Sequence, residues 1–311
     1  MSVSREAPRP APAAQADLDV GRLRMLREVS LRGSIAAAAR ALGLTPSAVS
    51  QQLAVLEREA GTALLDRTTR GVELTGAGHA LCDRAERILD LLAMARADLD
   101  RMNGSVSGPV RLATVASAAA TIVSAAVLTL RDAHPDIEVT VLAADPSRSI
   151  GLLQSGDVDV AVVDEYDQQP LAFPDHLVSR ALRSEALVVV APPGMLPQRR
   201  IRLAELAERD WVMPPQDAAC GAAVRAACRR EGFEPRVRWE TDDMLLLERA
   251  VAAGHGVAVL PRLAVASELG AVQLRELVQP AIHRELRAIS RTGSDARPVV
   301  RAVVDALAAQ A

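Results

Sequence analysis

Two glycine breaks constrain the first sixty residues more than any other feature of the chain. Between Leu18 and Ala60 the apolar period is helical, and it stops at Gly33-Ser34 and again at Gly43-Leu44-Thr45. Three short helices joined by tight turns are predicted, the pattern of a helix-turn-helix unit. The third helix has a well-specified start. Thr45 can cap it, and Pro46 takes the first helical position, where its missing N–H costs nothing. At about 100° per residue, Val49, Leu53, Leu56 and Ala60 share one stripe. Ser47, Gln51, Ala54 and Arg58 lie opposite, with Ser50 and Gln52 on the flanks. A helix entering a major groove needs such side chains: Gln to read adenine, Ser for base or phosphate, Ala against a thymine methyl. The open helix start at 46–48 would also suit a phosphate.

A solvated helix face would look the same, so the next segment decides. Residues 62–75 read as a hairpin turning at Gly71, with Arg67, Thr68, Thr69 and Arg70 concentrated at its tip. A minor-groove wing carries its phosphate-binding groups in that place. Residues 17–75 are therefore expected to form a DNA-binding domain, preceded by a disordered, proline-rich tail over 1–16. A long helix follows, about 77–102, on which Leu81, Ala85, Ile88, Leu92, Ala95, Leu99 and Met102 repeat at alternating steps of four and three. That is a heptad seam wanting a partner helix. The competing reading is an amphipathic helix packed on its own domain. Asn103-Gly104-Ser105-Val106-Ser107-Gly108-Pro109 reads as a hinge, so 76–107 is expected to be a dimerising helix and linker.

The net charge of −3 argues superficially against a nucleic-acid partner. Divided along the chain, the objection disappears: residues 18–75 carry eight Arg against six acids, while 108–301 carry 22 Arg against 25. A mildly basic head is averaged with an acidic remainder. All 36 basic residues are Arg, which excludes lysine Schiff-base and P-loop chemistry. Cys82, Cys220 and Cys228 have neither CxxC nor metal-ligand spacing. With no secretory signal and no apolar run approaching a membrane span, a soluble cytoplasmic protein is expected. The five histidines form no metal-like cluster and no nucleophile elbow occurs, so neither a cofactor, a metal nor an enzyme is predicted.

Beyond Gly108 strands and helices alternate: a strand over 110–116, a helix over 118–132, a strand over 137–143, a helix over 147–154 and a strand over 158–163. The same style continues to a helix near 297–309. This is α/β with a parallel sheet. About two hundred residues suit two lobes with a cleft between them: lobe I about 108–164 and 265–311, lobe II about 165–264.

Residues 18–102 resemble the N-terminal half of a LysR-type transcriptional regulator. The resemblance rests on Gly33-Ser34, Ala37-Ala38-Ala39, Leu42-Gly43-Leu44-Thr45, Ser47-Ala48-Val49-Ser50-Gln51-Gln52, Leu56-Glu57, Gly61, Leu65, Arg67 and Arg70-Gly71-Val72-Glu73-Leu74-Thr75. It departs from the family at Ile35 and Leu65, usually Phe, and at Gly76, usually Glu. The remainder is similar to the family's regulatory domain, through markers such as Gly156-Asp157-Val158-Asp159, Thr241-Asp242-Asp243 and Gly254-His255-Gly256.

The resemblance implies a winged helix-turn-helix, a dimerising linker helix and a two-lobed domain of the type 2 periplasmic-binding-protein kind. It further implies a homodimer or homotetramer that binds double-stranded DNA at an interrupted inverted repeat and answers to a small-molecule effector. Candidate DNA contacts are Ser34, Thr45, Pro46, Ser47, Ser50, Gln51, Gln52, Arg58, Arg67, Thr68, Thr69 and Arg70. Candidate effector contacts are Ser117, Ala118, Asp145, Gln216, Asp217, Cys220, Thr241 and Asp242, with Val257 as an apolar wall. Ser117 and Thr241 would serve equally as helix caps. A small anion or flat organic acid would suit the helix dipoles. Effector-independent binding and thiol-redox control through Cys220 and Cys228 are the alternatives, and a solute-binding protein is the rival from another class.

Overall fold

The computed structural model describes residues 17–68, 71–102, 106–167, 171, 173–174, 176–265 and 271–311. The tail over 1–16, Thr69, Arg70 and the first hinge residues, 103–105, lie outside the described residues, as do the side chains of Arg67, Thr68 and Met102. The chain divides into two compact units, Met1–Leu89 and Asp90–Ala311.

The first unit holds α1 (Val20–Arg32), α2 (Ile35–Leu42) and α3 (Pro46–Ala60), then a hairpin of β1 (Leu65–Thr68) and β2 (Gly71–Leu74) and the start of α4 (Gly76–Met102). Each of the three helices begins on a side chain that accepts a backbone N–H: Asp19, Ser34 and Thr45. Such caps contribute about 1 kcal/mol each. Each ends on a left-handed glycine, Gly33, Gly43 or Gly61, so the turns are fixed locally at both sides. Leu23, Leu26, Val49, Leu53, Leu56 and Leu64 fill the core. Ile35 and Leu65, the two departures from Phe, pack against it.

In the second unit the strands follow the order β4 (Ile137–Ala143), β3 (Gly108–Thr114), β5 (Val160–Tyr166), β12 (His283–Arg291), β6 (Leu177–Ala191), β11 (Gln273–Gln279), β7 (Arg200–Arg202). β10 (Ala258–Pro261) also pairs with β6. The 15-residue β6 carries the chain from one lobe to the other. Its residues up to Ala186 pair with β12, and those from Leu187 pair with β10 and β11. Lobe I alternates its side chains between two cores. Val160, Val162, Leu286 and Ala288 face one, and Ala161, Val163 and Ile289 face the other. Lobe II gathers around Trp211, Val224, Leu247 and Leu260, with β8 (Asp210–Met213) and β9 (Arg236–Glu240) as a parallel pair. Its helices are α8 (Ala219–Arg230) and α9 (Met244–Ala252), while α7 (Pro146–Ser155) and α10 (Pro298–Ala309) belong to lobe I.

Three expectations change. β11 joins the lobe II strands, and the first part of β6 joins lobe I. Lobe II thus runs from about 187 to 279 rather than 165 to 264, because strand pairing and not local pattern decides membership. The helix expected over 118–132 is α5 (Ala116–Ala118), a π turn (Ala119–Val123) and α6 (Ser124–Ala133) in succession. At 18 residues, Ala116–Ala133 is also apolar and long enough to cross a membrane by length and composition, contrary to the expectation that no run approaches a span. Its Ala118, Ile122, Ala126 and Leu130 pack instead into the lobe I core.

Gly221 lets α8 lie against the Pro214-Pro215 turn, since a Cβ there would stand 2.0 Å from the Pro215 carbonyl oxygen. Gly221→Ala should therefore destabilise the protein by about 1–3 kcal/mol, as overpacking does. Urea denaturation of the full chain checks this, and an unchanged midpoint would show that the turn has room.

Candidate functional site

On α3 the side chains of Ser47, Gln51, Ala54 and Arg58 are exposed, and Val49, Leu53 and Leu56 are buried. Thr45 and Pro46 are exposed at the helix start. The Thr45 hydroxyl accepts from the Ala48 N–H at 3.3 Å and lies 3.1 Å from the Ser47 hydroxyl. Pro46 has no N–H and Ala48 is capped, so the open helix start expected over 46–48 reduces to Ser47. Ser34 accepts from the Ala37 N–H at 3.2 Å as the cap of α2. Gln52 is partly committed, because its carbonyl oxygen accepts from Arg22 Nε at 2.9 Å, and Arg22 also pairs with Glu59. Ser50 is half-buried.

Glu57, unnoticed as more than a family marker in the sequence, fixes the hairpin to this helix. Its Oε1 accepts the N–H groups of Leu64 at 2.8 Å and Leu65 at 3.1 Å. The charged hydrogen bonds hold the wing at a set angle to α3.

Along α4, Ala85 is buried in the head's own core and Leu81 packs against it. These two seam positions are therefore occupied within the chain, as the competing amphipathic reading expected. Ile88, Leu92, Ala95 and Leu99 are exposed, and so is Leu91.

The second unit contains a cleft with two connected chambers. The inner one, about 270 Å³, is lined by Ser117, Asp145, Asp164, Asp217, Cys220 and Asp242, among others. Tyr166 and Arg284 complete its floor. The outer one, about 630 Å³, shares Ala116, Ser117, Asp242 and Met244 and adds Ala120, Leu245 and Leu263. Five of the expected contacts, Ser117, Asp145, Asp217, Cys220 and Asp242, thus come together.

Four do not. Ala118 turns into the lobe I core and Val257 into the lobe II core, since neither points along the same direction as its cleft-lining neighbours. Gln216 and Thr241 lie outside both linings. Ser117 and Thr241 are not helix caps either. Asp243 caps α9 and Val115 precedes α5 without a side-chain bond. Asp145 does cap α7, accepting from the Arg148 N–H at 2.9 Å.

The floor is a polar network whose members lie far apart in the sequence. Arg284, 1% exposed, donates from Nη1 to Ser117 Oγ at 2.7 Å and to Asp164 Oδ2 at 3.5 Å. Its Nε and Nη2 both bond Glu185 Oε1. Tyr166 donates to the same Asp164 Oδ2 at 2.9 Å. Glu185 Oε2 accepts the N–H of Leu263 at 3.0 Å, so the network also holds the segment that leaves β10 and packs on the lobe I core. One signal could have revealed it. Arg284 stands in phase with Leu286 and Ala288, and Asp164 with Val160 and Val162, so each is a charge on an apolar stripe.

Burial pushes the thiols of Cys220 and Cys228 up to about 12, and all the cysteines are buried and unpaired. Cys220 and Cys228 lie on one helix, α8, about 12 Å apart along its axis. Among the described residues no group of His, Cys, Asp and Glu could hold a metal ion.

Arg284→Met should destabilise the protein by about 3–5 kcal/mol, because it leaves Asp164 and Glu185 buried without their counterion. Adding Asp164→Asn and Glu185→Gln should restore much of the loss. Denaturation midpoints of the two variants decide, and an Arg284→Met protein as stable as its parent would refute the network's role.

A family model for the bacterial regulatory helix-turn-helix protein, lysR family, matches residues 20–79, and one for the LysR substrate binding domain matches residues 103–311. An uncharacterized HTH-type transcriptional regulator of Mycobacterium tuberculosis is 31% identical over 271 residues, 83% of this chain and 85% of its own length. A full-length OxyR variant from Pseudomonas aeruginosa has a similar fold, with a TM-score of 0.70, 16% identity, and coverage of 94% of this chain and 95% of that one. Full-length CbnR, solved in complex with its target DNA, gives a TM-score of 0.54 at 20% identity, with 94% and 99% covered.

Proposed function

The chain belongs to the LysR family of bacterial transcriptional regulators, and from that premise we propose that α3 reads its operator while the cleft at Arg284 holds the effector. The observation that carries the first part is the exposed face of α3. Ser47, Gln51, Ala54 and Arg58 project from a helix capped at Thr45 and braced through Glu57. Gln51 and Ser47 are the base-reading groups. Arg58, Arg67 and Arg70, with Ser34 and Thr45, supply phosphate contacts, Thr68 and Thr69 assist in the wing, and Ser50 and Gln52 act at the flanks. The CbnR complex with target DNA offers a precedent for the fold.

Two copies pair along α4 from Ile88 onward, through Leu92, Ala95, Leu99 and Met102. Leu81 and Ala85 drop out of the seam because the head already uses them. Pairing sets the spacing of two recognition helices, so the operator is an interrupted inverted repeat. A dimer, or a tetramer of two dimers, supplies the avidity that a head of only +2 charge needs. The protein acts where its DNA is, in the cytoplasm, and by binding and coupling alone, without a catalytic step.

Effector occupancy changes how the lobes meet around the floor at Arg284 and Glu185, where β6 passes from one lobe to the other, and that change is passed to the paired heads. Thiol control is disfavoured because Cys220 and Cys228 are buried and burial raises both thiols, holding them in the unreactive protonated form.

In gel shifts on the native operator, Gln51→Ala and Ser47→Ala should each weaken specific binding by about 1–3 kcal/mol and leave nonspecific binding unchanged. Arg58→Ala should weaken both and lower the salt slope by about one. Undiminished discrimination in both α3 variants would refute the assigned reading face. For the redox alternative, the native protein should react with a disulfide reagent such as DTNB only as fast as it unfolds. Rapid labelling of one thiol in the native state would reinstate cysteine sensing.

A further inference from the structure

Formal charge at the cleft floor does not balance. Arg284 is the one basic residue lining the inner chamber among the described residues, against Asp145, Asp164, Asp217 and Asp242. Its donors are already engaged by Ser117, Asp164 and Glu185. The buried trio of Arg284, Asp164 and Glu185 therefore carries one negative charge in excess. Burying such a charge is unfavourable unless it is paired.

The excess has an outlet. Asp164 is 7% exposed and lines the chamber, and both hydrogen bonds it receives, from Tyr166 and Arg284, fall on Oδ2. Its Oδ1 accepts none among the described residues. Asp217 and Asp242, nearer the mouth, are exposed. The outer chamber adds Asp243 and Glu248 and no basic residue among those described.

Helix ends do not reverse this balance. The starts of α7 and α9 are occupied by the carboxylates of Asp145 and Asp243. Those of α5 and α8 have no side-chain cap, but each contributes only roughly half a positive charge. A carboxylate or phosphate entering the chamber would meet an unpaired Asp164 oxygen and no free guanidinium.

We propose that the effector is an organic cation, an amine or guanidino compound, rather than the small anion that helix dipoles alone would favour. Its N–H groups bond Asp164 Oδ1 on the floor, and Asp217 and Asp242 attract it at the mouth. Its carbon skeleton lies along Ala116, Ala120, Met244 and Leu245 in the outer chamber. The cation neutralises the excess charge of a lobe I network while Asp217 and Asp242 of lobe II hold it from the other side of the chamber, so its arrival bears directly on how the lobes meet. The inference rests on the cleft being the effector site.

The test is calorimetric and thermal-shift titration of the full-length protein with benzylamine, agmatine and putrescine, each at millimolar concentration, against benzoate as the near-isosteric anion. At least one amine should bind and raise the melting temperature, with no effect of benzoate. In Asp217→Asn/Asp242→Asn the amine affinity should fall by about fivefold to tenfold for each charge removed. Ala116→Phe, which fills the cleft from an exposed position, should abolish it. Three outcomes overturn the proposal: no amine binds, benzoate binds and the double Asn variant tightens it, or amine affinity is indifferent to that variant. Loss of benzoate binding in Ala116→Phe would then leave the cleft as the site of an anionic effector. Binding of any probe unaffected by Ala116→Phe would refute the cleft itself.

Discussion

The regulatory unit depends on one buried guanidinium. Arg284 cannot lose its proton, so its position on the inward stripe of β12 obliges the surrounding elements to bring it partners. β5 supplies Asp164, β6 supplies Glu185, and the helix run that opens at Ala116 supplies Ser117. Each partner comes from a different element, and Glu185 reaches further to the N–H of Leu263. The arrangement does more than satisfy a charge. It places a polar floor where two apolar stripes end, and the chain crosses between the lobes beside that floor. Substituting a hydrophobic residue of similar volume together with neutral partners would meet the packing requirement equally well, so a role in stability alone does not explain why the charges are there.

The reading head follows the opposite logic. Its geometry comes from short-range devices: Asp19, Ser34 and Thr45 at helix starts, and Gly33, Gly43 and Gly61 at helix ends. Each acts within one turn of itself, and so each is visible in the sequence. The contacts that reach further, the Glu57 carboxylate that receives the wing's backbone and Arg22 bridging α1 to Gln52 and Glu59 on α3, are also the ones whose purpose sequence periodicity does not reveal. A face that must meet DNA benefits from this local definition, because its side chains stand on a helix whose start cannot slide.

The same distinction explains what was legible in the cleft. Ser117, Asp145, Asp217 and Asp242 lie where strands give way to helices, and chain order alone places such positions at the rim of an open sheet. Arg284, Asp164 and Glu185 become neighbours only through pairing of β12 with β5 and β6, across separations of 120 and 99 residues. Ala118 falls outside the lining because it lies next to a lining residue on a helix, and adjacent helical side chains diverge. Val257 falls outside the lining because it packs beside Trp211 in the lobe II core. The heptad on α4 is a subtler case. The repeat is real, but a helix that serves first its own domain and then a partner can use one continuous stripe for both, so periodicity cannot mark where the change falls. Burial of Ala85 and exposure of Ile88 show where the head's own use of the stripe ends.

Dipoles and charges give opposite expectations for the cleft, and magnitude decides between them. Helix starts facing an open pocket favour anions, which is why chain order alone points to an acid. Two of the four starts, however, already hold a carboxylate of their own, and a fractional dipole charge falls off within a turn. Full charges on side chains do not cancel so easily. Five carboxylates, counting Glu185, surround one guanidinium at the inner chamber. The sign of the field is therefore set by residues whose identities were visible from the start, and its interpretation required knowing which of them Arg284 had already neutralised.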